Sequence, residues 1–438
     1  MRTAVRGFSK LSKSEKINWL IEHHFQGNTN ARKTLENYWN TDAQLQQLHD
    51  DFIENTVSNY YLPLGVAPNF IINEKHYSLP MAIEESSVVA AAAKAAKYWS
   101  ERGGFRARVI NDEKIGQIHF IYRGDARKLM TFVSAIEEKL RADVSAITAN
   151  MEKRGGGIKS IELRDQREKI PHYFQLHLCF HTADSMGANF INSCLETIAK
   201  RFAHYLENSP LFSPTEQSIE IVMSILSNYV PNCRVKASVQ CSIEELEAEE
   251  GLSKQAFAEK FVRAVRIAEK EPFRAVTHNK GIMNGVDALV IATGNDFRAV
   301  EAGVHAYAAR EGHYKSLSTA FIKENQFHFS LELPLAIGTV GGLTNLHPLV
   351  RWSLELLGNP SAKELMQITA VAGLAQNFAA LRSLVTSGIQ KGHMKMHLLN
   401  ILNQLNATKT QREKALVYFK SNLVSHSTVA QFLAENSA

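Results

Sequence analysis

The mainly apolar run VDALVIA at residues 286–292 most constrains the fold, because such a run is expected to lie in the core. Gly285 precedes the run and Gly294 follows it, and short apolar runs between turn residues are typical of strands buried on both faces. The sequence therefore predicts a central strand here. It also predicts a turn around Lys280, in the segment HNKGIMNG, and a helix that begins after Asp296.

Ionisable residues flank this segment, but each also has an ordinary structural explanation. Asp296 can cap the helix that follows it, and Lys280 can be a solvated lysine. Glu85 can likewise be either a structural carboxylate at a helix start or a functional acid. It stands beside the candidate caps Ser86 and Ser87 and an alanine-rich segment of high helix propensity. A helix N-terminus lowers a carboxyl pKa, so a general acid at Glu85 requires burial or a neighbouring negative charge to raise that pKa.

Composition and charge exclude several classes of protein. The 438 residues, 45% hydrophobic and 21% charged, are enough for more than one domain and do not indicate long disorder. The net charge of +5 is small, and no dense basic run is interleaved with aromatic residues, so nucleic acid is not an expected partner. No long apolar run follows the basic N-terminus or occurs elsewhere, so we expect neither a secretory signal nor a membrane span.

The cysteines and histidines do not predict a metal site. The cysteines show no CxxC spacing and are expected to be reduced thiols of a cytoplasmic protein; they are Cys179, Cys194, Cys233 and Cys241. His393 and His397 are four residues apart and can share a helical face. A zinc site needs at least a third ligand, and the sequence places none beside them.

Residues from about 105 to 241 show a β-α-β-β-α-β succession, which predicts a ferredoxin-like inserted domain rather than a Rossmann unit. The GxGxxG fingerprint is absent from the sequence. Within this region lies the segment DSMGAN, residues 184–189. Gly187 permits close backbone approach, and the helix that follows offers N–H groups to a pyrophosphate. The alternative is a strand-to-helix turn capped by Asp184.

Five segments, in the same order along the chain, resemble the soluble bacterial (class II) type of hydroxymethylglutaryl-coenzyme A reductase. The segments are residues 81–90, 184–189, 277–308, 338–348 and 392–397. The resemblance implies an α/β (α+β) fold with a large, mostly helical substrate domain, an inserted ferredoxin-like cofactor domain and a small helical C-terminal flap. The implied boundaries are 1–110 and 229–388 for the large domain, 111–228 for the inserted domain and 389–438 for the flap.

The resemblance also implies a reaction and the residues that perform it. The reaction is the four-electron reduction of hydroxymethylglutaryl-coenzyme A to mevalonate and coenzyme A with two NAD(P)H. The implied catalytic residues are Lys280, which polarises the thioester carbonyl, His393, which protonates the coenzyme A thiolate, Glu85, a proton donor, and Asp296, which tunes this group. The implied substrate-binding residues are Ser87, Arg274, Asn284 and Asn228. The implied cofactor-binding residues are Asp184, Met186, Gly187, Asn189, Lys159 and Ser160.

The segment around Ser160 bears on the choice of cofactor. Relatives that prefer NADH carry an aspartate in the place of Ser160, and an acid there repels the 2′-phosphate of NADPH. Here a neutral serine follows Lys159, with Arg154 nearby, which favours NADPH over NADH. The alternative is a solvated basic turn.

The resemblance further implies a homodimer or larger assembly whose active site forms between two subunits. The segment ENTVS at residues 54–58 is similar to a family segment that helps to bind coenzyme A, but Ser58 replaces its glycine. Two other functions stay open at this point. They are a catalytically silent regulator that binds coenzyme A esters or nucleotides, and a coenzyme A-dependent acyltransferase that uses His393.

Overall fold

The computed structural model describes residues 4–247, 251–344, 346–386, 388 and 398–436. Contacts within the chain divide it into two units, Met1–Pro63 and Leu64–Ala438.

The first unit consists of short helices that begin with well-formed caps. A 3₁₀ turn at Phe8–Lys10 precedes α1 (Lys13–Phe25), α2 (Thr29–Glu36) and α3 (Ala43–Asp50). Ser12 caps α1 and forms a capping box with Glu15. The ammonium of Lys13 lies 2.8 Å from the Asp50 carboxylate and joins α1 to α3.

The second unit contains a large core in which helices pack on an antiparallel sheet. Its hairpin is β1 (Leu64–Ile72) and β2 (Lys75–Ala82). Its sheet has the order β3-β8-β10-β9, from β3 (Arg106–Val109), β8 (Arg234–Ser242), β9 (Ser318–Lys323) and β10 (Gln326–Pro334). Its helices are α4 (Val88–Ser100), α8 (Lys254–Lys270), α9 (Pro272–Ala292), α10 (Phe297–Ala308), α11 (Pro348–Leu356) and α12 (Ala362–Val385).

The predicted strand at 286–292 is wrong, because these residues form the second half of helix α9. The predicted turn at Lys280 is wrong for the same reason. Val286, Leu289 and Val290 are fully buried, and a helix buried on most sides is apolar without a helical period. Gly285 lies inside the helix because α12 passes close to it: a Cβ there would meet the Ala372 carbonyl oxygen at 2.4 Å. The glycine is therefore a packing residue, whereas sequence reasoning treated it as a turn.

The predicted ferredoxin-like sheet is confirmed. The elements follow one another as β4 (Lys114–Tyr122), α5 (Ala126–Asp143), α6 (Ser145–Glu152), β5 (Gly157–Asp165), β6 (Tyr173–His181), α7 (Ala188–Glu207) and β7 (Ile219–Ser227). The strands are antiparallel in the order β5-β6-β4-β7, which is the arrangement that a split β-α-β unit produces. Phe120, Leu178 and Phe180 are fully buried and belong to the same core as Phe202 of α7.

Helix α12 is long and apolar enough to cross a membrane by length and composition, although the sequence contains no long unbroken apolar run. Its most apolar window has a mean hydropathy of 1.3, and 72% of that window is buried inside the protein. The helix packs against α9 and α4. Its apolar character is explained by this central position in the core.

The described C-terminal residues form a small helical cluster with its own core. Residues 398–404 form α13, followed by α14 (Lys409–Tyr418) and α15 (His426–Glu435). Phe419 and Phe432 pack edge to face with ring centroids 5.5 Å apart, and fully buried Leu402 joins the same cluster.

Candidate active site

The centre of the site is a contact between Lys280 and Glu85. The Lys280 ammonium lies 2.5 Å from Oε2 of Glu85. The side chains are 59% and 38% exposed, so a ligand can reach both groups. An ion pair this exposed contributes little to stability, which leaves chemistry as the stronger reason for this arrangement.

Glu85 lies in the turn between β2 and α4. Ser87 follows at the N-cap position of α4, as predicted, but its backbone is left-handed (φ 75°) and its side chain makes no capping hydrogen bond. The Ser87 hydroxyl is therefore not used to start the helix. A residue other than glycine is uncommon in the left-handed region of the backbone, and such strain is found most often at functional sites.

The two residues before Lys280, His278 and Asn279, are buried and fix the turn of α9 that carries Lys280. The Asn279 amide donates to the Lys315 carbonyl at 2.9 Å, and its oxygen accepts from the Leu317 N–H at 3.1 Å. Nε2 of His278 lies 2.6 Å from the Ser318 hydroxyl. Burial lowers the pKa of His278 to about 3, so this histidine is neutral at physiological pH.

Asp296 caps α10, as predicted. Its Oδ1 accepts hydrogen bonds from the N–H groups of Arg298 and Ala299 at 3.0 and 3.2 Å. The Arg298 guanidinium also lies 3.2 Å from Oδ1. Asp296 forms no salt bridge with Lys280 in the part of the chain that the structure describes. The structure thus pairs Lys280 with Glu85 and places Asp296 at the start of the next helix.

The segment DSMGAN is held against the GTVGG loop, residues 338–342. The Thr339 N–H donates to the Asp184 carbonyl at 2.8 Å, and Ser185 forms a β-bridge with Val340. A Cβ on Gly338 would lie 2.4 Å from the Met186 nitrogen, so only glycine permits this approach. Two of the segments that resemble the reductases therefore form one structural unit.

The start of α7 fits an anionic group. Gly187 is the N-cap, with φ 89°, and no described side chain caps the first N–H groups of the helix. The Asp184 carboxylate accepts instead from the Ala362 N–H at the start of α12, at 2.7 Å. The proposed alternative of a turn capped by Asp184 is therefore wrong. The α7 terminus, which includes Ala188 and Asn189, keeps backbone donors for a ligand such as a pyrophosphate.

Lys114 supports the DSMGAN segment and was missed by sequence reasoning. Its ammonium donates to the Ser185 carbonyl at 2.7 Å and to the Thr182 hydroxyl. Burial lowers the pKa of this lysine. A lysine at the start of a strand normally faces solvent, so only the three-dimensional contacts show this role.

The predicted substrate residues lie at three places. Arg274 is half-buried in the first turn of α9, forms no salt bridge with any described residue, and has its pKa lowered by burial. Asn284 lies one helical turn after Lys280, on the same face of α9. Asn228 lines a small cavity with Met186 and Lys114.

The predicted determinants of cofactor choice lie on β5. Lys159 occupies a bulge, because the pairing with β6 shifts between Ile158 and Ser160. Ser160 lies opposite Cys179 and lines a cleft of about 390 Å³ whose wall includes His177. Arg154 is exposed in the turn before β5.

Two predictions concern histidines outside the described residues, His393 and His397. Among the residues that the structure does describe, no group of three metal-ligating side chains occurs. The four cysteines are free and buried.

Comparison with known proteins gives one consistent family. A profile of hydroxymethylglutaryl-coenzyme A reductase matches residues 15–398. The chain is 37% identical over 423 residues to 3-hydroxy-3-methylglutaryl-coenzyme A reductase of Archaeoglobus fulgidus, covering 95% of this chain and 90% of the relative. It is 33% identical over 426 residues to a probable reductase of Borreliella burgdorferi, covering 94% and 93% of the two chains.

Solved structures agree with the sequence relatives. A class II 3-hydroxy-3-methylglutaryl-CoA reductase from Streptococcus pneumoniae, bound to NADPH in open conformations, superposes with a TM-score of 0.71 at 33% identity, covering 88% of this chain and 100% of that one. Another structure of the reductase from the same organism has a TM-score of 0.72 at 32% identity, with complete coverage of both chains.

Proposed function

Because the chain belongs to the hydroxymethylglutaryl-coenzyme A reductase family, we propose that it reduces hydroxymethylglutaryl-coenzyme A to mevalonate and coenzyme A at the Lys280–Glu85 pair. The 2.5 Å contact between these two side chains carries the proposal. It brings a cation and a proton donor together at an accessible position between α4 and α9.

Lys280 stabilises the developing charge. When the thioester carbonyl is reduced, its oxygen becomes negative, and the Lys280 ammonium is suited to hold that charge. Glu85 lies within hydrogen-bond reach of Lys280 and supplies a proton to the same oxygen when the aldehyde is reduced. Asp296 acts on this pair through its charge, from the N-terminus of α10.

His393 protonates the departing coenzyme A sulfur. A histidine suits this step because its ordinary pKa is near neutrality. The C-terminal segment at 389–438 serves as a flap that opens for exchange of the cofactor and closes to exclude water. This assignment follows from the similarity of residues 392–397 to the family.

Arg274 binds the free carboxylate of the hydroxymethylglutaryl group. Its guanidinium is half-buried and has no anionic partner in the described chain, and a planar fork binds both oxygens of a carboxylate. Ser87, with a hydroxyl not used in capping, and Asn284, one turn after Lys280, contact the polar groups of the same substrate. Asn228 contacts the substrate from the cavity beside Met186.

The inserted domain, residues 111–228, binds the nicotinamide cofactor, which supplies hydride in both reduction steps. The uncapped start of α7, at Gly187 and Asn189, holds the pyrophosphate, and Asp184 and Met186 shape the loop before it. Ser160 leaves room for a 2′-phosphate and Lys159 supplies a positive charge, so NADPH is preferred to NADH. The NADPH-bound Streptococcus pneumoniae relative supports this choice.

The large domain comprises residues 1–110 and 229–388. The enzyme acts in the cytoplasm as a homodimer or a larger homo-oligomer with a shared active site. Ser58 weakens the local contact to coenzyme A because its hydroxyl donates to the Leu35 carbonyl at 2.6 Å and is already used within the chain.

The test measures NADPH oxidation and thiol release together. Purified protein is mixed with hydroxymethylglutaryl-coenzyme A and either NADPH or NADH. The proposal predicts two cofactors oxidised for each thiol released, and a faster reaction with NADPH. Thiol release without oxidation would indicate an acyltransferase, and binding without turnover would indicate a silent regulator; either outcome contradicts the proposal.

A further inference from the structure

A buried chain of hydrogen bonds joins helix α9 to helix α12, and it begins two residues before Lys280. Nε2 of His278 lies 2.6 Å from the Ser318 hydroxyl at the start of β9, and that hydroxyl donates to Oδ1 of Asn377 on α12 at 2.8 Å. His278, Ser318 and Asn377 are at most 2% exposed. Polar side chains buried this deeply are costly unless they are hydrogen-bonded, so the chain is a specific link between the two helices.

The directions of these hydrogen bonds fix the tautomer of His278. The Ser318 hydroxyl gives its only proton to Asn377, so it accepts from His278, and the imidazole carries its proton on Nε2. Nδ1 is buried and has no hydrogen-bond partner among the described residues. The opposite tautomer would place an N–H donor there without an acceptor, which folded proteins rarely tolerate. Burial lowers the pKa of His278 to about 3, so the ring takes up no second proton at physiological pH.

The next residue of α9 holds the same segment of the chain. Asn279 bonds to the Lys315 carbonyl and to the Leu317 N–H, at 2.9 and 3.1 Å. Ser316 closes the turn before β9, because its hydroxyl donates to the Ser318 carbonyl at 2.8 Å and accepts from the Ser318 N–H at 3.1 Å. Two consecutive side chains of α9 therefore hold one braced turn, and Ser318 joins that turn to α12.

Lys280 lies on the opposite side of α9 from His278. Two residues of a helix are separated by about 200° around its axis, and His278 is buried whereas the Lys280 side chain is 59% exposed. A rotation of α9 by about 10° would move a side-chain atom that lies about 5 Å from the helix axis by about 1 Å. Helix α12 also packs against α4, which begins just after Glu85. The link thus refers both members of the catalytic pair to the same helix.

We propose that His278, Ser318 and Asn377 are positioning residues that fix the rotation of α9 on α12 and so hold Lys280 against Glu85. Their hydrogen bonds are made to one another on the buried side of α9, so they act through Lys280 and not on the substrate. The catalytic part of this inference rests on the proposed reductase activity, whereas the link between the helices does not.

The first experiment measures the link without substrate, by backbone hydrogen exchange read by mass spectrometry. The variants His278→Gln and His278→Met have side chains of similar length, and only glutamine keeps an N–H donor for Ser318. In His278→Met we expect the amides of α9 around Lys280 and those of residues 315–318 to exchange roughly 3- to 10-fold faster, the effect of one lost hydrogen bond on local opening. His278→Gln should exchange like the wild type.

Ser318→Ala removes the middle member of the link and should accelerate exchange in the same segments. The matched control is Thr319→Ala in the same strand, since Thr319 is exposed and its hydroxyl lies 3.0 Å from that of Ser330. This control should leave the amides around Lys280 unchanged. Wild-type exchange in His278→Met and Ser318→Ala would overturn the link, whatever the protein catalyses.

The second experiment tests positioning through kcat and KM for the reductase reaction. His278→Met and Ser318→Ala should each lower kcat by roughly 10- to 100-fold with a smaller change in KM, as expected when a catalytic group is misplaced by about 1 Å. The double variant should lose no more than either single variant, because both remove the same link. His278→Gln should recover most of the wild-type kcat. Losses that multiply in the double variant, or an equal loss in His278→Gln and His278→Met, would overturn the positioning role.

Discussion

Glu85 and Lys280 are 195 residues apart in the sequence, yet their side chains meet at 2.5 Å. Glu85 comes from the turn before α4 and Lys280 from the first half of α9, and both helices pack on α12. The position of the pair is thus set by the packing of three core helices. Changes in that packing should affect both stability and catalysis.

The contact of α9 with α12 should depend on Gly285. We expect Gly285→Ala to lower the free energy of unfolding by about 1–3 kcal/mol, because its Cβ would meet the Ala372 carbonyl oxygen at 2.4 Å. The matched control is Gly281→Ala in the same helix, where a Cβ meets nothing within 4 Å. That variant should gain up to about 1 kcal/mol from helix propensity. Denaturant unfolding measures both, and equal stabilities would contradict this account of the packing.

Arg274 should be required for binding the substrate carboxylate. We expect Arg274→Ala to raise KM for hydroxymethylglutaryl-coenzyme A by about 10- to 100-fold, since a hydrogen bond to a charged group contributes about 1.5–3 kcal/mol. Arg274→Lys should recover part of this loss because it keeps the charge but not the fork. Steady-state kinetics at saturating NADPH measures both variants. An unchanged KM in Arg274→Ala would exclude this contact.

Ser160 should determine which cofactor is used. Ser160→Asp introduces a carboxylate that repels the 2′-phosphate and accepts hydrogen bonds from ribose hydroxyls, so kcat/KM should fall with NADPH and rise with NADH. Ser160→Ala controls for the loss of the hydroxyl and should keep the preference for NADPH. The ratio of the two kcat/KM values is the measurement. A ratio that Ser160→Asp does not change would place the 2′-phosphate elsewhere.

Lys114 is buried and should affect cofactor binding through the DSMGAN segment that it supports. Lys114→Met removes the hydrogen bond to the Ser185 carbonyl, so the DSMGAN segment loses a support and KM for NADPH should rise about tenfold or more. KM for hydroxymethylglutaryl-coenzyme A should change little. Lys323→Met, at a lysine that is 70% exposed, is the control. Equal effects on both KM values would indicate general damage to the fold.

Sequence reasoning predicted the ferredoxin-like sheet because its strands and helices alternate with clear periods. It also predicted the cap at Asp296, where an aspartate precedes a regular amphipathic helix. It failed for α9, because a helix that is buried on most sides shows no periodic spacing of apolar residues, and because Gly285 resembles a turn residue. Lys114 was missed because its partners, Thr182 and Ser185, are distant in the sequence.

The role of Lys280 is the central claim, and Lys280→Ala tests it most directly. The measurement is kcat for NADPH oxidation with saturating hydroxymethylglutaryl-coenzyme A, with Lys323→Ala as a control and the unfolding midpoint as a check on the fold. We predict a loss of about 10²–10³ in kcat, the effect of removing a group that stabilises an oxyanion, at an unchanged midpoint. A kcat in Lys280→Ala close to that of the wild type would contradict the assignment of the active site to the Lys280–Glu85 pair.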